Sequence, residues 1–332
     1  MKDDKNKQQF TVKVYHGYGH KSNLTLFGHV LKGKPGKQRN YNNGVWSNIL
    51  HLIKLFFVKP VADARVQLLW KDQQFLGTTE KDGFFKFEWE SLSTAEAGWH
   101  DVIVNMLDAD GAILAVGNGN VFVPHITQFG FISDIDDTVL ISYSATSGKR
   151  IKELFTKDPH TRQTFDDVVN HYHLLSVTHT TIDVPNPFFY VSSSEWNLYE
   201  DLLEFFTYNK LPEGAFLLSG MKKWFQLLKT GKTKHEGKLI RVARILEVFP
   251  QQRFVLMGDN SQSDPDIYAA IANKYQDRIE AIYIRNIKIE NAAKTQATLS
   301  GLMNKNIHTC LFDTNRQAIE HSKSIGLIYE QS

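Results

Sequence analysis

The hydrophobic pattern changes near Pro124, and that change limits the fold more than any other feature of the chain. Between residues 10 and 124, short β-rich runs are separated by turn signals. Residues 11–15 alternate apolar and polar, 23–31 and 64–70 are strand-like, and Lys81-Asp82-Gly83 between 75–79 and 84–89 predicts a hairpin. Two further strands fit 101–107 and 112–116, with Asp108-Ala109-Asp110-Gly111 as their turn. Short strands at such regular spacing predict an all-β sandwich.

After Pro124 the apolar runs are unbroken, at 129–133, 188–191, 215–218, 253–257, 280–284 and 307–312. Amphipathic stretches at 196–208, 237–248, 265–275 and 314–325 lie between or beyond them. Fully apolar strands alternating with helices predict an α/β domain whose parallel sheet is covered on both faces. The 332 residues suit two domains at roughly 150 residues each. We place an N-terminal β-sandwich-like domain at 1–125 and an α/β domain at 126–332, with a small cap insertion near 145–184.

Composition narrows the partners. The chain carries 38 Lys+Arg and 36 Asp+Glu, a net +2, which argues against a protein that coats nucleic acid. One cysteine, Cys310, leaves neither an internal disulfide framework nor a multi-cysteine metal site. The polar N-terminus predicts no secretory signal, and the apolar stretch at 49–58, interrupted by His51 and Lys54, is too short to span a bilayer. The expected location is cytoplasmic.

In open parallel sheets, ligands bind beyond the carboxyl ends of the strands, so polar residues there carry the functional information. The first strand runs into Asp134-Ile135-Asp136-Asp137-Thr138. Carboxylates this close repel one another unless a cation compensates, and oxygen-only ligands favour a hard cation such as Mg²⁺. A solvated acidic turn is the structural alternative. The second strand ends in Ser192-Ser193-Ser194 ahead of a helix from about Trp196, a pattern that suits either a phosphate site or a helix cap. The fourth ends in Gly258-Asp259, where glycine permits a tight turn. Asp264 before Pro265 fits either a helix cap or a metal ligand. Lys238, at the start of the preceding amphipathic stretch, reads by itself as a surface residue or as the cation that a transferred phosphoryl group needs.

Taken in order, Asp-x-Asp, Ser, Lys and Gly-Asp resemble the haloacid-dehalogenase superfamily of phosphatases. Ser133-Asp134-Ile135-Asp136-Asp137-Thr138, Tyr190-Val191-Ser192-Ser193-Ser194 with Trp196-Asn197-Leu198-Tyr199, and Gly258-Asp259 through Asp264-Pro265-Asp266-Ile267-Tyr268 resemble the family named for the fungal actin-patch phosphatidate phosphatase. The similarity covers about 125–330 and reaches Tyr15-His16-Gly17-Tyr18-Gly19. Glu195 departs from it, standing where that family favours proline. Residues 60–89 separately resemble the transthyretin-like sandwiches appended to many enzymes.

The resemblance implies a three-layer, Rossmann-like (haloacid-dehalogenase-like) α/β fold and a Mg²⁺-dependent phosphomonoester hydrolase. Asp134 would be the nucleophile, forming an aspartyl-phosphate, and Asp136 the general acid and base. Mg²⁺ would be bound by Asp134, Asp259, Asp264 and the Asp136 backbone. Ser192, Ser193 and Lys238 would hold phosphoryl oxygens. Thr138 would hydrogen-bond within the loop, close to the phosphate, and Asp137 would support the site from behind.

Other signals are set aside. Gly231-Lys232-Thr233 lacks the earlier glycine and the strand of a P-loop. His171, His173 and His179 fit no zinc spacing and read as surface or capping residues. Lys222, Lys223, Lys229, Lys232 and Lys234 with Trp224 and Phe225 form a basic loop, either simply solvated or, across 222–238, a peripheral contact for anionic lipid. The substrate expected is a phosphomonoester, with phosphatidate the first candidate. The alternatives are a phosphatase for soluble metabolites or polynucleotide ends, and a non-catalytic adaptor with a vestigial site.

Overall fold

The computed structural model describes residues 9–33, 59–139, 164–220 and 234–329. Among these the chain divides into two compact units, one ending at Val123 and the other beginning at Pro124. The first consists of strands β1 (Phe10–Val14), β2 (Gly17–His20), β3 (Asn23–Lys32), β4 (Lys59–Pro60), β5 (Arg65–Trp70), β6 (Gln73–Thr78), β7 (Phe84–Trp89), β8 (Gly98–Leu107) and β9 (Ile113–Val123). Hydrogen bonds join them in the order β1-β3-β2-β9-β8-β5-β6, with β4 and β7 also pairing with β3.

Alternation fills the core of this unit. Val66, Leu68 and Trp70 of β5 and Phe85, Phe87 and Trp89 of β7 enter one cluster. Trp70 and Trp89 meet edge to face with centroids 5.6 Å apart, and the buried Trp70 indole N–H donates to Ser91 Oγ at 2.8 Å. The hairpin expected across Lys81-Asp82-Gly83 does not form. β6 pairs with β5, whereas β7 pairs with β3. The turn passes the chain to a new partner, because the apolar face of β7 packs onto that of β5.

The β8–β9 hairpin does form, and Asp108 Oδ1 braces its turn by accepting from the Asp110 and Ala112 N–H groups at 3.0 and 2.8 Å. β9 continues well past residue 116, the expected end of that strand, through Gly117-Asn118-Gly119-Asn120. Its glycines serve close approach. A Cβ at Gly117 would lie 2.5 Å from the Val12 carbonyl oxygen, and one at Gly119 would lie 2.3 Å from Val14 Cγ1.

The second unit holds a six-stranded sheet. Its elements in chain order are β10 (Gly130–Asp134), α1 (Val168–Ser176), β11 (Phe188–Glu195), α2 (Tyr199–Tyr208), β12 (Gly214–Ser219), α3 (Lys234–Val248), β13 (Phe254–Asp259), α4 (Asp264–Lys274), β14 (Ile279–Arg285), α5 (Ala292–Met303), β15 (His308–Phe312) and α6 (Asn315–Ser324). The sheet is parallel throughout, in the order β12-β11-β10-β13-β14-β15. Chain order reverses at β10, which opens a crevice at the carboxyl ends of β10, β11 and β13. β10 and β13 are buried along their whole length, as their unbroken apolar sequences require.

The proposed cap region begins outside the described residues. Within 164–184, α1 packs into the unit itself, since Val168, His171, Tyr172 and Leu175 bury one of its faces and Tyr172 hydrogen-bonds Ser133 of β10 at 2.7 Å, whereas 181–184 are exposed. The apolar stretch at 49–58 and most of the basic loop likewise fall outside the described residues. Among the described residues no helix is long and apolar enough to cross a membrane.

Two outcomes test this packing. Gly117→Ala should cost about 1–3 kcal/mol in urea unfolding through overpacking, whereas Gly301→Ala on open α5 should be neutral or add up to about 1 kcal/mol. Equal effects would contradict the close approach of β1 and β9. His29 is fully buried beside the Tyr15 hydroxyl, 2.9 Å from Nδ1, and burial pushes its imidazole down to about 4, although Asp82 pulls it up. The unfolded chain therefore binds the proton first. Stability present above about pH 6.5 should be lost as pH falls towards about 4, by about 3 kcal/mol at most. His29→Gln should flatten that slope in unfolding curves, and an unchanged slope would remove His29 as its source.

Candidate functional site

Parallel strands end on one edge, so the sheet itself gathers the predicted residues. Asp134 ends β10, Asp259 ends β13, and Ser192 lies in β11 between them and the outer strand β12. Lys238 projects from the first turns of α3. Its Nζ is 2.8 Å from Asp134 Oδ1 and also pairs with Asp264 Oδ1. Lys234 begins the same helix, with its side chain outside the described residues.

Three local expectations change. β11 continues through the serines to Glu195, with an irregular register after Val191, and a 3₁₀ turn at Trp196–Leu198 precedes α2. Ser192 is therefore not a helix cap. Its hydroxyl donates to Asp136 Oδ2 at 3.1 Å and accepts from the Ser194 N–H at 3.0 Å, while Ser193 is half-buried on the same strand. Ser263, not Asp264, occupies the N-cap of α4. Asp264 stands in its first turn, 1% exposed, and faces Lys238. Gly258 lies within β13 and serves proximity, not a turn, because a Cβ there would lie 2.4 Å from Asp264 Oδ2. A fourth difference concerns Thr138. Its buried hydroxyl has no hydrogen-bond partner among the described residues, and only its carbonyl is held, by Arg285 Nε at 3.3 Å.

The side-chain oxygens of Asp134, Asp259 and Asp264 lie within 4.8 Å of one another, all buried. Asp259 Oδ1 accepts from the Ser261 N–H at 2.5 Å, and Asp264 Oδ2 from the Asp259 N–H at 3.4 Å. Asp134 Oδ2 and Asp259 Oδ2 are buried without a hydrogen-bond partner among the described residues. Two unpartnered hard oxygens in an all-carboxylate cluster fit a cation such as Mg²⁺. The Asp136 carboxylate does not join that cluster, since it faces Ser192. Asp137, in the left-handed region at φ 61°, accepts from Ser261 Oγ at 3.2 Å and links the first loop to the fourth.

The electrostatics follow from burial. Desolvation pushes Asp134 well up, Lys238 opposes it, and Asp264, Asp259 and Asp136 push further. Burial, then Asp264, raises Asp259 to about 7. For Lys238, desolvation is outweighed by Asp134 and Asp264, which hold the ammonium charged.

Two arginines belong to the site that the sequence reading missed. Arg241, one turn after Lys238 on the same face of α3, donates from Nη2 to the Ser192 carbonyl at 3.3 Å, and its Nε is buried without a partner among the described residues. Burial pushes Arg241 down, while Asp134 pulls it up. Arg285 ends β14 as the register partner of Asp259. The i, i+3 spacing and the strand-end rule were the signals that could have found them. The histidines form no cluster. His171 is buried, not at the surface, and contacts Ser322 and Asn315, while His179 contacts the Gly326 carbonyl.

Residues 129–286 match the family model "Phosphatidate phosphatase APP1, catalytic domain". That segment includes all the site residues above. A 159-residue stretch is 33% identical to phosphatidate phosphatase APP1 of Saccharomyces cerevisiae, covering 47% of this chain and 25% of that protein. Another, of 199 residues, is 27% identical to an uncharacterized protein of Schizosaccharomyces pombe, covering 58% and 31% respectively. The chain thus spans about a quarter to a third of the length of these relatives. Among solved structures, a carbohydrate acetylesterase from Xanthomonas citri aligns over 91% of this chain and 66% of its own at 7% identity, with a TM-score of 0.32, too low to carry an argument. Residues 129–286 resemble the catalytic domain of the phosphatidate phosphatase family.

Removing the central ammonium tests the cluster without any assay of activity. Lys238→Met should destabilise the protein by about 3–5 kcal/mol at mildly alkaline pH, because it strands buried carboxylates. The raised Asp259 keeps its proton below about pH 7 and loses it above, so the loss should shrink in acid and also with added Mg²⁺. Urea unfolding at both pH values, with and without Mg²⁺, measures this. A loss indifferent to pH and Mg²⁺ would contradict it.

Proposed function

We propose that the second unit is a Mg²⁺-dependent phosphomonoester hydrolase that works through an aspartyl-phosphate on Asp134. The observation that carries the reading is the convergence of Asp134, Asp259 and Asp264 around Lys238, with two buried carboxylate oxygens left unpartnered. The strand order and the crevice at β10 support a three-layer, Rossmann-like fold of haloacid-dehalogenase type. The shared core of β5 and β7 supports a sandwich for the first unit.

In this mechanism an Asp134 oxygen attacks phosphorus as the ester P–O bond breaks. Asp136 protonates the departing alkoxide, then takes a proton from the water that attacks phosphorus and releases Asp134. Ser192, Lys238 and the adjacent Arg241 would hold phosphoryl oxygens. Mg²⁺, held by Asp134, Asp259 and Asp264, would supply charge neutralisation at the phosphoryl group.

The printed name of the yeast relative supports a phospholipid monoester as substrate, with phosphatidate first to be tested. Contact with an anionic membrane surface would then fall to the basic segment 222–238, and the protein would act in the cytoplasm.

The test is a screen of the purified full chain with Mg²⁺ against phosphatidate, lysophosphatidate, sugar phosphates and nucleotides. Asp134→Asn should abolish turnover of whichever ester is cleaved, and Lys238→Ala should lower the rate roughly 10²–10³-fold. Substantial turnover by Asp134→Asn would sink the nucleophile assignment.

A further inference from the structure

Arg285 is a buried cation that the proposed chemistry does not use. It is 3% exposed, and no carboxylate lies within ion-pair distance of it among the described residues. Asp259 acts on it only at longer range, and a buried guanidinium with no ion-pair partner among the described residues is expensive, so its retention needs a structural reason. Its contacts supply one. The guanidinium carbon lies 4.0 Å from the Phe165 ring centroid and 4.9 Å from that of Phe312, so aromatic faces fix its plane. Nη2 donates to Asn315 Oδ1, at the first residue of α6. Nε donates to the carbonyl of Thr138, at 3.3 Å.

That carbonyl belongs to the loop that carries Asp134 and Asp136. The loop is unusual in its backbone, since Asp137 holds a left-handed φ of 61° without being glycine. A conformation of this kind persists only where surrounding contacts over-determine it. The contacts here include the Val139 N–H to Ile135 carbonyl bond at 3.0 Å, the Ser192–Asp136 and Ser261–Asp137 bonds and the Arg285–Thr138 bond. Arg285 is anchored in the sheet as the register partner of both Asp259 and Phe312, as Ser192 of β11 is where it holds the Asp136 carboxylate, and Arg285 is the one that grips the loop's backbone.

We infer that Arg285 is a positioning residue: clamped by Phe165, Phe312 and Asn315, it holds the Thr138 carbonyl and so fixes the turn that presents Asp134 and Asp136. The inference deepens the hydrolase reading and rests on it for its kinetic consequence. It acts on orientation and leaves ground-state binding of the phosphate unchanged. Charge alone does not suffice, because a lysine lacks the planar fork and the stacking.

The experiment compares the full chain with Arg285→Ala and Arg285→Lys in two independent arms. In hydrogen exchange, both variants should exchange faster in peptides covering 134–139, while 254–259 and 279–285 stay protected. In kinetics on the best substrate with Mg²⁺, kcat should fall about tenfold or more with KM within about twofold. Millimolar guanidinium, but not ammonium, should restore part of kcat to Arg285→Ala. Unchanged exchange at 134–139, or a kcat equal to that of the natural chain, would overturn the assignment. So would a loss that falls on KM alone, or one that Arg285→Lys fully repairs. If Arg285→Ala loses protection everywhere, Arg285→Lys decides the question by the same local criterion. If the natural chain cleaves no phosphomonoester, the hydrolase reading fails, and the exchange arm still decides whether Arg285 holds the loop.

Discussion

Three carboxylates buried around one ammonium set the terms for the second unit. Each buried ion costs several kcal/mol after relaxation, and one lysine cannot balance Asp134, Asp259 and Asp264. Backbone N–H groups of Ser261 and Asp259 relieve part of the excess. What remains appears as raised carboxylate affinities for protons and as two oxygens with no donor. Such an arrangement survives only on a scaffold that does not relax around it. The apolar strands β10 and β13, the stacked rings of Phe131 and Phe188, and Tyr268, whose hydroxyl ties α4 to the Met257 carbonyl, supply that stiffness. Gly258 belongs to the same constraint, since any side chain there would displace Asp264.

Period and position explain what the sequence makes legible. Unbroken apolar runs specify buried parallel strands, and the strand-end rule then locates Asp134, Ser192 and Asp259 without any knowledge of contacts. Lys238 follows from charge logic. The misreadings have a common physical origin: one residue type serves two structural purposes. Serines before an aromatic residue suit a helix cap, but also a strand-end hydroxyl, which is what Ser192 provides. Gly117-Asn118-Gly119-Asn120 has turn composition, yet its glycines admit Val12 and Val14 of a neighbouring strand. Lys81-Asp82-Gly83 turns the chain, but whether β6 or β3 receives β7 depends on packing many residues away. Arg285 stands just past the apolar run 280–284, where the strand-end rule points, but its pairing with Asp259 shows only once β13 and β14 are aligned.

The segment Tyr15-His16-Gly17-Tyr18-Gly19 shows the same duality in the first unit. A Cβ at Gly17 would lie 2.4 Å from the Thr25 carbonyl oxygen, and one at Gly19, at φ +155°, 2.1 Å from that of Asn23. Both glycines are therefore required by the close pairing of β2 with β3. β3 is buried on both faces, with Leu24, Leu26 and Val30 in the main core and Thr25, Phe27 and His29 on the other side. The Tyr15 hydroxyl beside His29 gives that second face one satisfied polar contact. Packing accounts for this motif, and no catalytic role is needed to explain it.

Ser192 connects the two halves of the proposed chemistry. Its hydroxyl has one proton to donate, and in the structure that proton goes to Asp136 Oδ2. On the proposed reading, an arriving phosphoryl oxygen competes for the same proton. When Ser192 turns to the phosphate, its hydrogen bond to Asp136 Oδ2 is released. A general acid must carry a proton when the leaving alkoxide forms. Substrate engagement through Ser192 would thus release the Asp136 oxygen that it holds as the leaving alkoxide forms. Departure of phosphate would return the hydroxyl to Asp136. The Ser194 N–H, which donates to Ser192 Oγ in the same geometry, keeps the oxygen in place while its hydrogen changes partner.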